Sequence, residues 1–221
     1  MEYHTVFFGN ERFRTMAKVL GNSIEHNSNH GLTVHELPKG KETMRHKLVV
    51  NTRKLHKWVE IVENAKDDIV LMDCDTVLLK EVSHVFDMDF DIAYTKRTQG
   101  SRFPLNGGVV FVRPNKKTKD FFRRWLDVNN RMMEDSHFHK PYYKKYAGIN
   151  QASFGYLLEN GCDLKIIDVP CSKYNACDAV DWENLEYTHI LHVKSDLQNQ
   201  CFAKEPTRHL DAVKLWMKFL S

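Results

Sequence analysis

Asp73 and Asp75 stand two residues apart at the end of the apolar run Ile69-Val70-Leu71-Met72. In extended backbone, residues i and i+2 share a side, so both carboxylates project together. Two carboxylates held close repel unless a proton or cation intervenes. A hard divalent ion resolves that repulsion, taking oxygen ligands from the protein and from the phosphates of a ligand. Two chemistries use such a pair. In one, a metal neutralises a nucleoside diphosphate as it departs from a sugar. In the other, the first Asp attacks phosphate and the second serves as general acid. An arbitrary Asp-X-Asp more often caps a helix with one acid and hydrates the other. The apolar run argues against that here. Strands buried on both faces read this way, and open α/β sheets bind ligands at the carboxyl ends of their strands.

Three downstream segments carry groups suited to a hydroxylated, phosphorylated ligand. Asn106-Gly107-Gly108 leads into Val109-Val110-Phe111-Val112. Glycines let a backbone approach a ligand closely, and Asn offers both a donor and an acceptor. Gly148-Ile149-Asn150-Gln151 opens a helix with two amide side chains, of which Asn150 is equally readable as an N-cap. His189-Ile190-Leu191-His192-Val193-Lys194 ends a late strand in a His and a Lys able to complete a metal–diphosphate site. Near the start, Phe8, Gly9 and Asn10 end the first strand and are placed to meet a base. Lys47 and Asn51 lie one turn apart on a long helix, within reach of a diphosphate or sugar, although Lys47 suits a solvated face equally well. Arg97 and Arg102 flank the loop before Asn106, and one of them is a candidate donor contact. From His137 to Tyr146 basic and aromatic residues interleave; the segment reads as a solvated surface loop, with an acceptor-side or lid role as the alternative.

The ordered set resembles a GT-A glycosyltransferase and is similar to the glycogenin and galactinol synthase group of small nucleotide-sugar transferases, from Thr5 to about Lys194. The resemblance implies Asp73, Asp75 and His192 as ligands of Mn²⁺ (or Mg²⁺), with Asp73 and Cys74 also beside the substrate. It implies Asn106, Gly107 and Gly108 near the donor sugar, Lys194 near the diphosphate, and Asn150 with Gln151 as catalytic residues near the anomeric carbon or acceptor. It further implies a nucleoside diphosphate sugar donor, UDP favoured, a glycan or other hydroxyl acceptor, and retention at the anomeric carbon. Two positions depart from the group. Asn150 stands where many relatives have Asp, and Val193-Lys194-Ser195 follows the late His where Gly-Lys is usual. The string from Val70 to Leu78 also resembles the opening of a haloacid-dehalogenase-like phosphatase, with Asp73 as nucleophile and Asp75 as general acid. That family expects the acidic pair after its first strand and a later Gly-Asp-X-X-X-Asp cluster, which this chain lacks. A non-catalytic sugar-nucleotide-binding domain is the remaining alternative.

The elements that must position these residues alternate along the chain. Strands are expected at Thr5–Phe8, Leu32–Leu37, Asp68–Asp75, Phe90–Thr95, Gly107–Arg113, Leu164–Val169 and His189–Val193. Helical spacing marks Phe13 to Ile24, Glu42 to Ala65, a helix capped by Asn115, Ile149 to Glu159 stopped by Gly161, and Thr207 to Leu220. Alternation of this kind implies an α/β domain with a mostly parallel central sheet flanked by helices. One GT-A domain over residues 1–221 is expected, its nucleotide half at 1–75 and its sugar and acceptor half at 76–221.

The 221 residues carry 32 basic and 29 acidic side chains, a formal charge of +3, too weak an excess to argue for nucleic acid. No apolar run approaches the ~20 residues of a membrane span. The C-terminal helix, with Trp216, Met217 and Leu220, is read as docking on the domain, with peripheral membrane contact as the alternative. The start lacks the basic-then-apolar pattern of a signal peptide, the five cysteines are scattered, and no glycosylation sequon occurs, so a cytoplasmic protein with reduced thiols is expected. Cys162, Cys171, Cys177, Cys201 and His189 show no metal-ligand spacing and read as structural.

Overall fold

Asn10 accepts a hydrogen bond from the Phe13 amide, and this cap starts the first helix directly after the first strand. The computed structural model describes residues 1–38, 46–97 and 103–220; the expected helix start at Glu42 and the candidate Arg102 lie outside them. In chain order the elements are β1 (Glu2–Phe8), α1 (Glu11–Asn27), β2 (Leu32–Leu37), α2 (His46–Asn64), β3 (Ile69–Met72) and β4 (Thr76–Leu78). A 3-10 turn (Ser83–Asp87), β5 (Ile92–Lys96), β6 (Leu105–Val112), α3 (Lys116–Glu134), α4 (Ser136–Tyr146) and α5 (Ile149–Glu159) follow. The chain continues with β7 (Ile166–Pro170), α6 (Cys171–Tyr174), α7 (Ala179–Trp182), β8 (Ile190–His192), α8 (Ser195–Cys201) and α9 (Leu210–Met217).

Among the described residues, one sheet has the order β2-β1-β3-β6-β5-β7. β6 runs against both its neighbours, and the other strands all run one way. The expected mostly parallel sheet is therefore present, with one reversed strand at its centre. All four residues of β3 are buried, because helices cover both faces. Ile69 and Leu71 pack with Trp58, Phe122 and Trp125 beneath α2, α3 and α5. Val70 and Met72 face the other way, toward Leu20 and Ile24 of α1 and Tyr174.

The last expected strand departs from the reading. β8 does not join the main sheet; it pairs antiparallel with β4, Thr76 opposite His192, in a two-stranded sheet. β4 itself escapes sequence reading because three residues after a turn carry no period. The residues from His137 to Tyr146 also differ from the expected loop. They form α4, started by Asp135, whose carboxylate accepts from the amides of His137 and Phe138. Phe138 and Tyr142 pack edge-on against Tyr156 of α5, which gives the segment an apolar face that its basic residues disguise. The C-terminal helix docks as expected: Val213 and Trp216 lie in a cluster with Val77, Leu191 and Leu197. No helix among the described residues is long and apolar enough to cross a membrane.

Candidate active site

β3 ends where the main sheet opens, and its last hydrogen bond already involves the site: the Asp73 amide donates to the Gly108 carbonyl at 2.8 Å. The Thr76 hydroxyl donates to the Asp73 carbonyl at 2.7 Å and folds the chain into a tight turn that carries Asp75. β4 then pairs with β8, and the Val193 amide donates to the Asp75 carbonyl at 2.7 Å. His192 is thereby delivered beside the acids. Its Nε2 lies 3.2 Å from Asp75 Oδ1 and 3.8 Å from Asp73 Oδ2.

Burial alone pulls the His192 imidazolium down, but the charge and hydrogen bond of Asp75 and the charge of Asp73 outweigh it and hold its pKa above the usual value. Burial likewise raises Asp75, yet His192, its own backbone amide and Lys54 bring it below the usual carboxylate range. Two carboxylate oxygens and one imidazole nitrogen, all within 4.8 Å of one another, suit a divalent ion of the Mn²⁺ or Mg²⁺ type better than a thiophilic one. The donor set thus fits the implied metal.

Two cavities meet at this point. One, of about 340 Å³, lies beside the end of β1 and is lined by Phe8, Gly9, Asn10, Lys47, Cys74 and Asp75, among others. The other, of about 260 Å³, lies under β6 and is lined by Asn106, Gly107, Gly108, Asn150 and Gln151 together with Trp58, Tyr94, Trp125 and Phe154. Asn51, Lys54 and Asp73 line both. The Lys54 ammonium donates to Asp73 Oδ1 and sits 4.3 Å over the Trp58 ring.

A sequence model of the nucleotide-diphospho-sugar transferase family matches residues 31–201. The chain belongs to this family. Its fold is GT-A, and membership makes it a glycosyltransferase. The transferase is similar to the solved glycosyltransferase GlyE of Streptococcus pneumoniae TIGR4, with a TM-score of 0.64 at 13% identity over 99% of this chain. It spans 63% of GlyE's length. A glycosyltransferase involved in glycosylation of the major capsid of PBCV-1 superposes with a TM-score of 0.63 at 11% identity, covering 98% of each chain. The galactosyltransferase LgtC, solved with donor and acceptor sugar analogs, gives 0.60 at 11% identity, covering 99% of this chain and 96% of LgtC. No curated protein matches the chain in sequence.

The transferase's expected site residues fall into three groups. Asp73, Asp75 and His192 come together as anticipated. Others line the cavities, but with side chains already engaged in the protein. Asn10 caps α1. Gly9 makes room for the Arg14–Glu36 ion pair, since a Cβ there would lie 2.3 Å from Glu36 Oε1. Asn106 turns inward, its Oδ1 accepting from the Gly108 amide at 2.9 Å and its Nδ2 donating to Cys177 Sγ at 3.0 Å. Gln151 accepts from the Gly107 amide at 3.2 Å and donates to the Tyr146 carbonyl at 2.7 Å. Burial pushes the Cys74 thiol well up, so it is a neutral wall beside Phe7 and Ala17. The third group differs from expectation. Asn150 is not the N-cap of α5, a place taken by Gly148 at φ 34°, where a glycine is favoured. Its Nδ2 donates to the Asn51 carbonyl at 2.8 Å, while its buried Oδ1 has no partner among the described residues. Lys194 lines neither cavity, although its charge reaches His192.

Sequence reading missed Lys54 and the aromatic wall. Lys54 lies on the same helical stripe as Lys47 and Asn51, three residues further on, so the signal was available. The aromatics gave none, because Trp58, Trp125 and Phe154 carry the period of ordinary core positions. Arg97 does line the second cavity, with a guanidinium nitrogen 3.6 Å from Asp178.

Proposed function

We propose that the chain moves a hexose from a UDP-sugar to a hydroxyl acceptor, with Mn²⁺ (or Mg²⁺) at Asp73, Asp75 and His192 and with retention at the anomeric carbon. The carrying observation is that Asp73, which lines both cavities, and Asp75, which lines the first, stand beside buried His192; the first cavity is read as the nucleotide's and the second as the sugar's. The first cavity is lined wholly from residues 6 to 75, which supports residues 1–75 as the nucleotide half and 76–221 as the sugar and acceptor half. Asp73, Asp75 and His192 would hold a divalent ion, which would supply positive charge to a departing diphosphate. Lys54 adds a second cation at the same junction, held in place by Asp73 and the Trp58 ring. Asn150 Oδ1, desolvated and without a partner among the described residues, is an acceptor for a donor-sugar hydroxyl or for positive charge growing at the anomeric carbon. The aromatic wall stacks on a sugar face and excludes water, which protects the donor from hydrolysis.

Retention is supported by what lines the second cavity. An inverting enzyme needs a free carboxylate to deprotonate the acceptor. Among the described lining residues the carboxylate present is Asp73, and Lys54 holds it. A nucleotide-binding domain without turnover is disfavoured because the ligand trio is complete. Glycan synthesis by a cytoplasmic enzyme is part of the same proposal. The test is incubation with a panel of UDP- and GDP-sugars, with Mn²⁺ and again with EDTA. UDP release from one UDP-sugar, dependent on the ion, with an axial donor bond giving an axial product by NMR, is the expected result. Ion-independent release, or release confined to GDP-sugars, overturns the corresponding part.

A further inference from the structure

His192 is held from behind by a chain of buried hydrogen bonds that ends on the backbone of the Asn106-Gly107-Gly108 segment. His192 Nδ1 lies 2.8 Å from Asn175 Oδ1. Asn175 Nδ2 donates to Thr95 Oγ1 at 2.8 Å, and Thr95 Oγ1 donates to the Asn106 carbonyl at 2.8 Å. Thr95, Asn175, Asn106 and His192 are all buried, so water cannot replace these partners. The direction of every bond is then forced. A carbonyl only accepts, so the single Thr95 proton goes to Asn106. Thr95 must therefore receive from the Asn175 amide nitrogen, and this turns the amide oxygen toward the imidazole. An amide oxygen only accepts, so Nδ1 carries a proton; the Nε2 proton, which donates to Asp75, is the one an ion would displace, leaving the ring's lone pair at Nε2, toward Asp75 and Asp73. The Cys171 sulfur also borders the Thr95 hydroxyl, but a thiol is a weak competitor for a proton already directed at a carbonyl.

We infer that Asn175 and Thr95 are positioning residues that fix the Nδ1-protonated tautomer of His192 and so make its Nε2 a metal ligand. The inference rests on the ligand trio proposed above. Backbone pairing sets Asn175 in place independently of its side chain: the Ala176 amide donates to the Ile190 carbonyl and the His192 amide to the Ala176 carbonyl, both at 2.9 Å. Gly108 belongs to the same device. A Cβ there would lie 2.6 Å from His192 Cε1 and 3.0 Å from Asn175 Oδ1, so the second glycine of the motif serves the histidine before it serves any sugar.

The test is equilibrium Mn²⁺ binding to the full chain, read by electron paramagnetic resonance of the free ion, on wild type, Asn175→Leu, Asn175→Asp and Thr95→Val. Thermal midpoints in EDTA establish that each is folded. Asn175→Leu is expected to weaken Mn²⁺ about 10–100-fold, the usual cost of losing an outer-shell partner. Asn175→Asp, which still accepts from Nδ1, retains most of the affinity. Thr95→Val, which touches no ligand, weakens Mn²⁺ by a smaller factor because the amide can now turn over. Wild-type affinity in Asn175→Leu, or an equal loss in folded Asn175→Asp, overturns the inference. If Asn175→Leu does not fold, undiminished affinity in Thr95→Val does so. A long-range ¹H–¹⁵N spectrum of the neutral imidazole in metal-free wild type reads the tautomer without any ion. A proton on Nδ1 supports the inference even if wild type binds no Mn²⁺, an outcome that would sink the metal proposal by itself; a proton on Nε2 overturns the inference.

Discussion

The cavity beside β1 draws its lining from three short segments within the first 75 residues, whereas the cavity under β6 takes its walls from α2, β5, β6, α3 and α5. The first is made where strands end, so its residues lie just past apolar runs and stand out in the sequence. The second is made inside the layer between sheet and helices. Trp125 and Phe154, with ring centroids 4.8 Å apart, serve at once as core and as cavity wall. The second region thus shares more of its wall with the aromatic core than the first does, and Lys54 with Asp73 is the seam between them.

Breaking the seam has the largest expected effect. Lys54→Met leaves Asp73 without its partner and removes a cation from both cavities. A hydrogen bond to a charged group contributes about 1.5–3 kcal/mol, so kcat/KM should fall by about 10–100-fold. Steady-state kinetics on the active donor checks this, with kcat and KM both changed because the residue faces both cavities. A change in KM alone would assign Lys54 to the nucleotide side and unmake the comparison.

A smaller effect sharpens the contrast. Trp58 Nε1 is buried with no partner among the described residues, on the wall of the second cavity. Trp58→Phe keeps an aromatic wall and deletes this donor. An unsatisfied buried donor costs about 1–3 kcal/mol, so relief offsets the lost ring volume and the thermal midpoint should hold. A several-fold rise in donor KM with an unchanged midpoint would show that the N–H serves the sugar. An unchanged KM would make the position purely core.

How far the sequence carried follows the same division. β3 and its acids were legible because a doubly buried strand is a continuous apolar run that can end in polar groups only at a sheet edge. His192 was legible as a residue but not as a placement, since β4 is too short to show a period and its pairing with β8 is a tertiary choice. α4 was misread because Lys140, Lys144 and Lys145 mask the contacts of Phe138 and Tyr142 with Tyr156. Thr95 and Asn175, 80 residues apart, become partners only after folding, and no local pattern announces them.

The smallest expected effect separates the site from the rest of the molecule by pH. Burial holds His4, His35, His139 and His189 below the usual histidine pKa. Their contribution to stability is present above about pH 6.5, the unfolded value, and is lost as pH falls toward their folded values. His192 has the opposite sign: its contribution is full below about pH 6.5, the unfolded value, and is lost as pH rises through its raised folded pKa. Acidification from about pH 7 to 5 therefore removes the contribution of these four and retains that of His192, and each kcal/mol of change moves the metal-free thermal midpoint by about 2–4 °C. His192→Gln should shift the midpoint further downward on acidification than in wild type, since it removes the opposing group; a pH dependence equal to wild type's would contradict the assignment.

The central claim is that Asp73, Asp75 and His192 join an ion to a nucleoside diphosphate at the seam of the two cavities. Calorimetric titration of UDP into the full chain, with Mn²⁺, with EDTA, and with Mn²⁺ on Asp75→Asn, tests it most directly. The account predicts binding that requires the ion and is weakened at least about tenfold by the substitution, a loss of 1.4 kcal/mol or more. UDP binding of equal strength in Mn²⁺ and EDTA, or undiminished by Asp75→Asn, would contradict it.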